Sequence, residues 1–230
     1  MDIFDPQYWK PNLDYIESGN ARYQAFQKLD IHAPFFKLNL HCPSDVYKPT
    51  IYSSTVLATK AALILAEKLW PRTILEVGAG SGALGLSLKA SDNHVTLTDI
   101  SETAVEAITE NAKAHQLDVE VLQSDLFEAL TGRRYDLVIF NMPFVNRSIS
   151  DSVDLALCDP SGDLLRRFMA ELPEHLTYNG VGQLTFSNLS CYDTVKEVLS
   201  VYDYRLEQAD YYHDLGVYRW VVSLRVPRKK

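Results

Sequence analysis

The chain has 230 residues, 47% hydrophobic and 23% charged, with a net charge of −8. That is the composition of a globular domain long enough to bury a sizeable core, and the acidic balance disfavours a protein that grips bare nucleic acid by neutralising phosphates. The three cysteines, Cys42, Cys158 and Cys191, stand far apart with no CxxC pair; they suggest neither a zinc site nor a disulfide framework and read as free thiols in a reducing cytosol.

The N-terminus lacks the basic and apolar regions of a secretory signal. The longest apolar run, near residues 61–66, falls far short of the roughly 20 residues of a membrane span. A cytoplasmic protein without a membrane partner is the expectation. Residues 1–50 form one block, carrying Pro6, Pro11, Pro34, Pro43 and Pro49 among aromatics that include Tyr8, Trp9, Tyr15, Tyr23, Phe26, Phe35 and Phe36. A helical pattern fits about 12–29, and the rest reads as extended chain and turns. This N-terminal extension is expected to pack against the main domain, 51–230, as a lid over the acceptor or as a packing strap.

From 53 to 70 the composition favours a helix, which Pro71 ends. Strand and helix signals then alternate: a strand at 73–77, a helix opening at 82–89, a strand at 94–98, a helix from 101 to about 116 with Ser101 as N-cap, and a strand at 119–123. The run 135–140 is almost continuously apolar, as suits a parallel strand covered on both faces. A helix at about 162–177 precedes a strand at 181–187, after the turn signal Asn179-Gly180. Another helix spans about 191–201. Two long strand-like segments, 203–212 and 217–226, close the chain, joined by Asp214-Leu215-Gly216 as a hairpin. The basic tail 225–230 reads as a solvated terminus. The order implies a doubly wound α/β sheet, mostly parallel, with an antiparallel C-terminal hairpin at one edge, and ligands bind such sheets at the carboxyl ends of the strands.

The first of these strands runs into Glu76-Val77-Gly78-Ala79-Gly80-Ser81-Gly82. Alternating glycines let the backbone turn sharply and approach a ligand closely, while the helix that follows presents free N–H groups. The same stretch fits a dinucleotide fingerprint as Gly78-x-Gly80-x-x-Ala83 or Gly80-x-Gly82-x-x-Gly85, so the loop alone does not separate a nicotinamide enzyme from a methyltransferase. Glu76 shifts the balance. A carboxylate beside the glycines would repel a pyrophosphate, whereas S-adenosylmethionine has no phosphate and carries an ammonium and a sulfonium.

Asp99, at the next strand end, is placed to accept both ribose hydroxyls of an adenosine ligand. Asp125, after the third strand, suits the adenine amino group, with Leu126 or Ile100 against the ring face; turn formation alone also explains an Asp there. The fourth strand ends in Phe140-Asn141-Met142-Pro143-Phe144. Pro143 keeps Met142 extended, which aims the Met142 carbonyl and the Asn141 side chain at one point, and Phe144 offers a flat face for a planar group. Two acceptors holding the hydrogens of an amide or amino nitrogen would turn its lone pair toward an incoming methyl, so the protein mainly supplies placement and electrostatic support.

With these residues in place, the sequence resembles the HemK/PrmC-like branch of class I S-adenosylmethionine-dependent methyltransferases, which carries Asn-Pro-Pro-Tyr at this strand end and methylates a glutamine side-chain amide. The likeness runs from about 45 to about 187. It takes in Asp45–Pro49, Ile74–Gly82, Val95–Ser101, Ser124–Phe127, Tyr135–Asn141 and Asp163–Leu176. The resemblance implies a Rossmann-like methyltransferase fold with a seven-stranded sheet. It also implies that Glu76, Gly78, Gly80 and Gly82 hold the methionine moiety, Asp99 the ribose, Asp125 the adenine edge and Asn141 the acceptor amide. The chain departs from the pattern at Met142, in place of the first proline, at Phe144, in place of tyrosine, and at 50–55, which lacks an acidic pair. The function expected is N-methylation of an amide or amino nitrogen of a protein or small-molecule acceptor. The alternatives are a nucleobase amino-methyltransferase, an NAD(P)-dependent oxidoreductase and a non-catalytic S-adenosylmethionine-binding module.

Overall fold

The computed structural model describes residues 1–10, 25–51, 53–150, 152–213 and 216–227. A short antiparallel pair, β1 (Ile31–Phe35) and β2 (Leu38–Cys42), precedes the main sheet. Then follow α1 (Ser54–Leu69), β3 (Thr73–Val77), α2 (Ala83–Leu88), β4 (His94–Asp99), α3 (Glu102–Ala114), β5 (Glu120–Gln123) and β6 (Tyr135–Phe140). The chain continues through α4 (Ser152–Leu155), α5 (Asp163–His175), β7 (Leu176–Ser187), α6 (Tyr192–Leu199), β8 (Asp203–Tyr212) and β9 (Val217–Arg225).

The main sheet has seven strands in the order β5-β4-β3-β6-β7-β9-β8. The five strands from β5 to β7 are mutually parallel, and β9 lies antiparallel between β7 and β8. Winding starts at β3, runs outward through β4 to β5, then returns to the other side of β3 as β6. The direction therefore reverses between β3 and β6, the place where an open α/β sheet leaves a crevice at its carboxyl edge.

Strand alternation divides the core into two layers. Leu75, Val77, Val138, Phe140, Leu184, Phe186, Trp220 and Val222 face α5 and α6, where Leu165, Phe168, Met169, Leu172, Val195 and Leu199 meet them. Ile74, Val95, Leu97, Leu137 and Ile139 face the other way, against Ala58, Ala62 and Leu65 of α1, Leu84 of α2 and Ile108 of α3. Burial on both faces is what the continuous apolar run at 135–140 encodes. Phe140 turns to the α5 side, so Asn141, the next residue, stands on the α1 side. Ser101 caps α3 by accepting from the Ala104 N–H at 3.4 Å, a contact worth about 1 kcal/mol.

Two segments differ from their sequence reading. Asn179-Gly180 does not precede β7 but lies inside it, where the register jumps from Tyr135↔Leu176 to Leu137↔Val181. Gly180 permits this bulge because a Cβ there would stand 2.8 Å from the Thr177 nitrogen and the Tyr135 oxygen. Residues 31–42 form the β1–β2 hairpin, where only extended chain and turns are expected. The expected helix at 12–29 lies outside the described residues except for a helical turn at 25–27, as do the hairpin positions Asp214 and Leu215 and the tail residues 228–230. Among the described residues, no helix is long and apolar enough to cross a membrane.

The first ten residues strap the sheet on its α5–α6 side. Trp9 stacks on Trp220 with ring centroids 5.3 Å apart and meets Tyr192 edge-on at 4.9 Å, while its indole N–H donates to the Ile3 carbonyl at 2.7 Å. Asn188 Nδ2–H ties this strap down by donating to the Tyr8 carbonyl at 3.0 Å.

Candidate active site

A cleft of about 1170 Å³ opens at the carboxyl ends of β3, β4, β5 and β6. It is bordered by Glu76, Gly78, Gly80, Asp99, Ile100, Asp125, Leu126 and the whole segment Asn141–Phe144. Motifs separated by more than sixty positions in sequence thus converge, because each occupies a strand end beside the point where the winding reverses.

The loop after β3 supplies the floor. Gly78, Gly80 and Gly82 all have positive φ, at 61°, 58° and 79°. Gly82 is the exception to the sequence reading, because it does not border the cleft. It is the left-handed N-cap residue of α2, and a Cβ there would stand 3.0 Å from Leu86 and 3.3 Å from Ile108. Its role is to turn the chain and pack. Gly85 does similar work one turn later: a Cβ would come within 2.6 Å of Glu76 Oε2 and 2.7 Å of Leu97. That close approach lets the Gly85 N–H donate to Glu76 Oε2 at 2.7 Å.

Glu76 is only 3% exposed. Burial, reinforced by the charge of Asp99, pushes its carboxyl pKa up to about 8 against the opposing Gly85 hydrogen bond. Asp99 accepts from the Gly80 N–H at 2.8 Å through Oδ2 and from the Ser101 N–H at 3.0 Å through Oδ1. Burial raises its pKa above the ordinary carboxylate value, while the backbone N–H donors pull it back down. These two bonds fix both carboxylate oxygens and leave each a further lone pair for a ligand hydroxyl. Ile100 beside it is 63% exposed, with its side chain open at the rim.

Asp125 borders the cleft as expected, but it has a protein partner that the sequence did not disclose. Arg167 of α5 donates from Nη2 to Asp125 Oδ2 at 2.7 Å, occupying one of its two oxygens. Leu126, at φ 48°, is nearly buried and packs with the α5-side core while bordering the cleft.

Asn141 sits between α1 and the cleft. Its Nδ2–H donates to the Thr55 hydroxyl oxygen at 3.2 Å, and its Oδ1 is buried without a hydrogen-bond partner. Met142 buries its side chain in the core, which takes that group away from chemistry and leaves its backbone beside the cleft. Phe144 packs partly against the same core, and its N–H donates to the Leu157 carbonyl at 3.0 Å.

The far wall comes from residues that the sequence reading did not single out. Arg147 pairs with the fully buried Asp154, which also accepts from the Ser150 N–H and hydroxyl. Those contacts hold the loop after Phe144 over the cleft and present the exposed Ile149 and Leu155 at its mouth. From the C-terminal hairpin, Arg219 donates from Nε and Nη2 to Asp210 at 2.9 and 2.6 Å, and its guanidinium lies 4.3 Å from the Tyr212 ring centre. The signal for Arg219 was present in the sequence, as the one charge inside the apolar stretch 217–224.

Residues 46–212 match the family model of the methyltransferase small domain. The chain belongs to that family. It is 32% identical over 161 residues to a putative protein N5-glutamine methyltransferase of Methanocaldococcus jannaschii, covering 67% of this chain and 77% of that protein. It is 36% identical over 149 residues to the release factor glutamine methyltransferase of Streptococcus pneumoniae, covering 64% of this chain and 52% of that one. The chain thus spans most of the archaeal relative and about half of the bacterial one. Among solved structures, a T. thermophilus 16S rRNA methyltransferase in complex with AdoMet and guanosine matches with a TM-score of 0.65 at 21% identity, covering 86% of this chain and 50% of that one. At that identity the likeness is one of fold.

This methyltransferase small domain uses S-adenosylmethionine as methyl donor, and the nicotinamide reading of the glycine loop falls away. The residues present fit the donor. The cleft floor carries a carboxyl that a cation would ionise, a second carboxylate already oriented by two N–H groups, and an orphaned buried amide oxygen that awaits a donor.

Proposed function

We propose that the protein methylates the side-chain amide nitrogen of glutamine in a protein acceptor. The single observation that carries this is Asn141 Oδ1, buried at the cleft and lacking a partner. An unpaired buried amide oxygen costs about 1–3 kcal/mol, and an acceptor N–H entering the cleft would remove that penalty. Two kinds of relative support the amide acceptor: the archaeal and bacterial proteins named above are both glutamine methyltransferases by name.

S-adenosylmethionine, when bound, supplies an already activated methyl group. The chain's own residues orient and bind. Glu76, with the turn at Gly78 and Gly80, holds the methionine end, Asp99 the ribose hydroxyls, and Ile100, Leu126 and the free oxygen of Asp125 the adenine. Asn141 Oδ1 would accept a hydrogen bond from one N–H of the acceptor amide and so turn the nitrogen lone pair toward the methyl group, while Phe144 would flank the planar amide. No strong base is needed before transfer: as the nitrogen–methyl bond formed, the sulfur–methyl bond would break to leave neutral S-adenosylhomocysteine, and the methylated amide would then shed its extra proton to solvent at the open cleft. The cleft exceeds the roughly 300–1,000 Å³ of an ordinary small-ligand pocket, leaving room for a polypeptide segment beside the cofactor, and Ile149 and Leu155 give that segment apolar contacts at the mouth. Residues 45–50 of the N-terminal extension contribute rim, and residues 1–10 serve as strap.

The test is a pair of variants assayed with labelled methyl donor on fractionated cell extract. Wild-type enzyme should label the protein fraction. Asn141→Ala should lower turnover at least about a hundredfold while leaving S-adenosylhomocysteine affinity within about threefold by calorimetry, about 0.65 kcal/mol. Asp99→Ala should instead weaken cofactor binding first. Label entering RNA, or full turnover by Asn141→Ala, would overturn the proposal.

A further inference from the structure

Asn141 does its work only if its oxygen, and not its NH2 group, faces the acceptor. A side-chain amide has two arrangements of nearly equal shape, related by a half-turn about its last bond, that exchange a donor for an acceptor. In the arrangement that leaves Oδ1 to the cleft, Asn141 Nδ2–H donates to Thr55 Oγ1 at 3.2 Å, and the N–H groups of the acceptor select this arrangement over its flip. We infer that Thr55 is a positioning residue for methyl transfer, holding the Asn141 amide with Oδ1 toward the acceptor nitrogen. The inference rests on the function proposed above.

Thr55 is suited to this by where it stands. It lies in the first turn of α1, only 6% exposed, and borders the same cleft as Asn141. Its backbone is pinned, since the Thr59 hydroxyl donates to the Thr55 carbonyl at 2.7 Å. One turn further on, Gln183 of β7 donates from Nε2 to the Ala58 carbonyl at 3.0 Å, fixing α1 to the sheet. The N-terminus of the helix is set by Ser53, whose N–H and hydroxyl both donate to the Thr50 carbonyl, at 3.0 and 2.8 Å. The hydroxyl oxygen therefore sits on a rigid shelf.

The chemistry then follows from donor and acceptor counts. An acceptor amide brings hydrogens to the site and needs an oxygen to receive one. If Asn141 turned its NH2 group to the cleft, donor would meet donor, and the Thr55 hydroxyl would consume the oxygen that the substrate requires. With Nδ2 on Thr55, the bonds run in one direction, from acceptor N–H to Asn141 Oδ1 and from Asn141 N–H to Thr55 Oγ1, and each polarises the next. This position falls in the segment 50–55, where the acidic pair of the resembled family is absent. It requires an oxygen acceptor, which valine, of nearly the same shape, lacks.

The experiment compares the full-length wild type with Thr55→Val, Thr55→Ser and Asn141→Ala, each saturated with S-adenosylhomocysteine for spectroscopy. The side-chain amide protons of Asn141, assigned by their absence from the Asn141→Ala spectrum, are followed by hydrogen exchange. Exchange in Thr55→Val should be at least about tenfold faster than in wild type, and Thr55→Ser should restore the wild-type rate, since one lost hydrogen bond is worth about a factor of ten. On the protein fraction that takes label, Thr55→Val should lose about 10- to 100-fold in kcat with KM and cofactor affinity within about threefold, and Thr55→Ser should recover it. Unchanged amide exchange and kcat in Thr55→Val would overturn the inference, as would a fall in cofactor affinity and melting temperature with amide exchange unchanged. If Asn141→Ala loses turnover while Thr55→Val keeps it, the inference alone fails. If Asn141→Ala itself keeps turnover, the proposed function fails with it.

Discussion

Glu76 carries a pH signature of its own in the cleft. Its carboxyl pKa is raised to about 8 by burial, whereas in the unfolded chain it titrates near the ordinary value of about 4.3. The folded protein thus holds a proton that the unfolded chain has released. The contribution of this group to stability is fully present below the unfolded pKa and is lost as pH rises through about 8. Melting temperature should therefore decline more between pH 5 and pH 9 in wild type than in Glu76→Gln. A cation bound beside the carboxyl would reverse the preference and expel the proton. Calorimetry with S-adenosylmethionine in buffers of different ionisation enthalpy should register net proton release at pH 7. The affinity should tighten up to about tenfold per pH unit toward pH 8. In Glu76→Gln, binding should be weaker and nearly free of this pH dependence; an equal pH dependence in both proteins would remove Glu76 from the cofactor's surroundings.

At the scale of elements, the N-terminal strap and the cleft rim are separable. Trp9 stacks on Trp220 and Phe186 and contacts Tyr192, all on the α5–α6 side, and does not border the cleft. Trp9→Ala should therefore destabilise the fold by about 2–4 kcal/mol in denaturant unfolding and leave kcat unchanged below the melting transition. A loss of turnover without a loss of stability would make residues 1–10 part of a lid instead. The rim at 43–48 is organised differently, around the fully buried Lys48. Its ammonium donates to the carbonyls of Gln27, Pro43 and Val46 at 2.6, 2.7 and 3.0 Å, closing the loop that presents Tyr47 to the cleft. Elements like β3 and β6 were legible in the sequence because a strand covered on both faces is a continuous apolar run. The β1–β2 hairpin was not, because Pro34 sits within β1 and such short strands alternate too briefly to register. Asn179-Gly180 gave a true signal of irregular backbone but not of a strand boundary, since a bulge and a turn use the same residues.

For the molecule as a whole, topology explains which parts of the site the sequence disclosed. Glu76 and Asp99 lie in the closing residues of β3 and β4, Asp125 and Asn141 follow β5 and β6, and a doubly wound sheet brings strand ends to one edge, so their convergence could be read in advance. Partners from outside that edge could not. Thr55 reaches Asn141 across 86 positions, and Arg167 reaches Asp125 across 42. Arg219 finds Asp210 only because the β8–β9 register places them opposite one another. These contacts depend on helix packing and strand register, neither of which a local pattern specifies. Gly82 differs in the opposite sense. Its place in the glycine run suggested ligand contact, and the run did not show that Leu86 and Ile108 leave no space for a side chain there.

The most direct measurement is tandem mass spectrometry of the protein that takes up label from the methyl donor. The expected result is one added methyl group, about 14 Da, on the side-chain amide nitrogen of a single glutamine, absent when Asn141→Ala replaces the wild-type enzyme. A methyl group on a nucleobase, on a carboxylate oxygen or on a nitrogen other than a glutamine amide would contradict the arrangement of acceptor and asparagine on which the proposed chemistry depends.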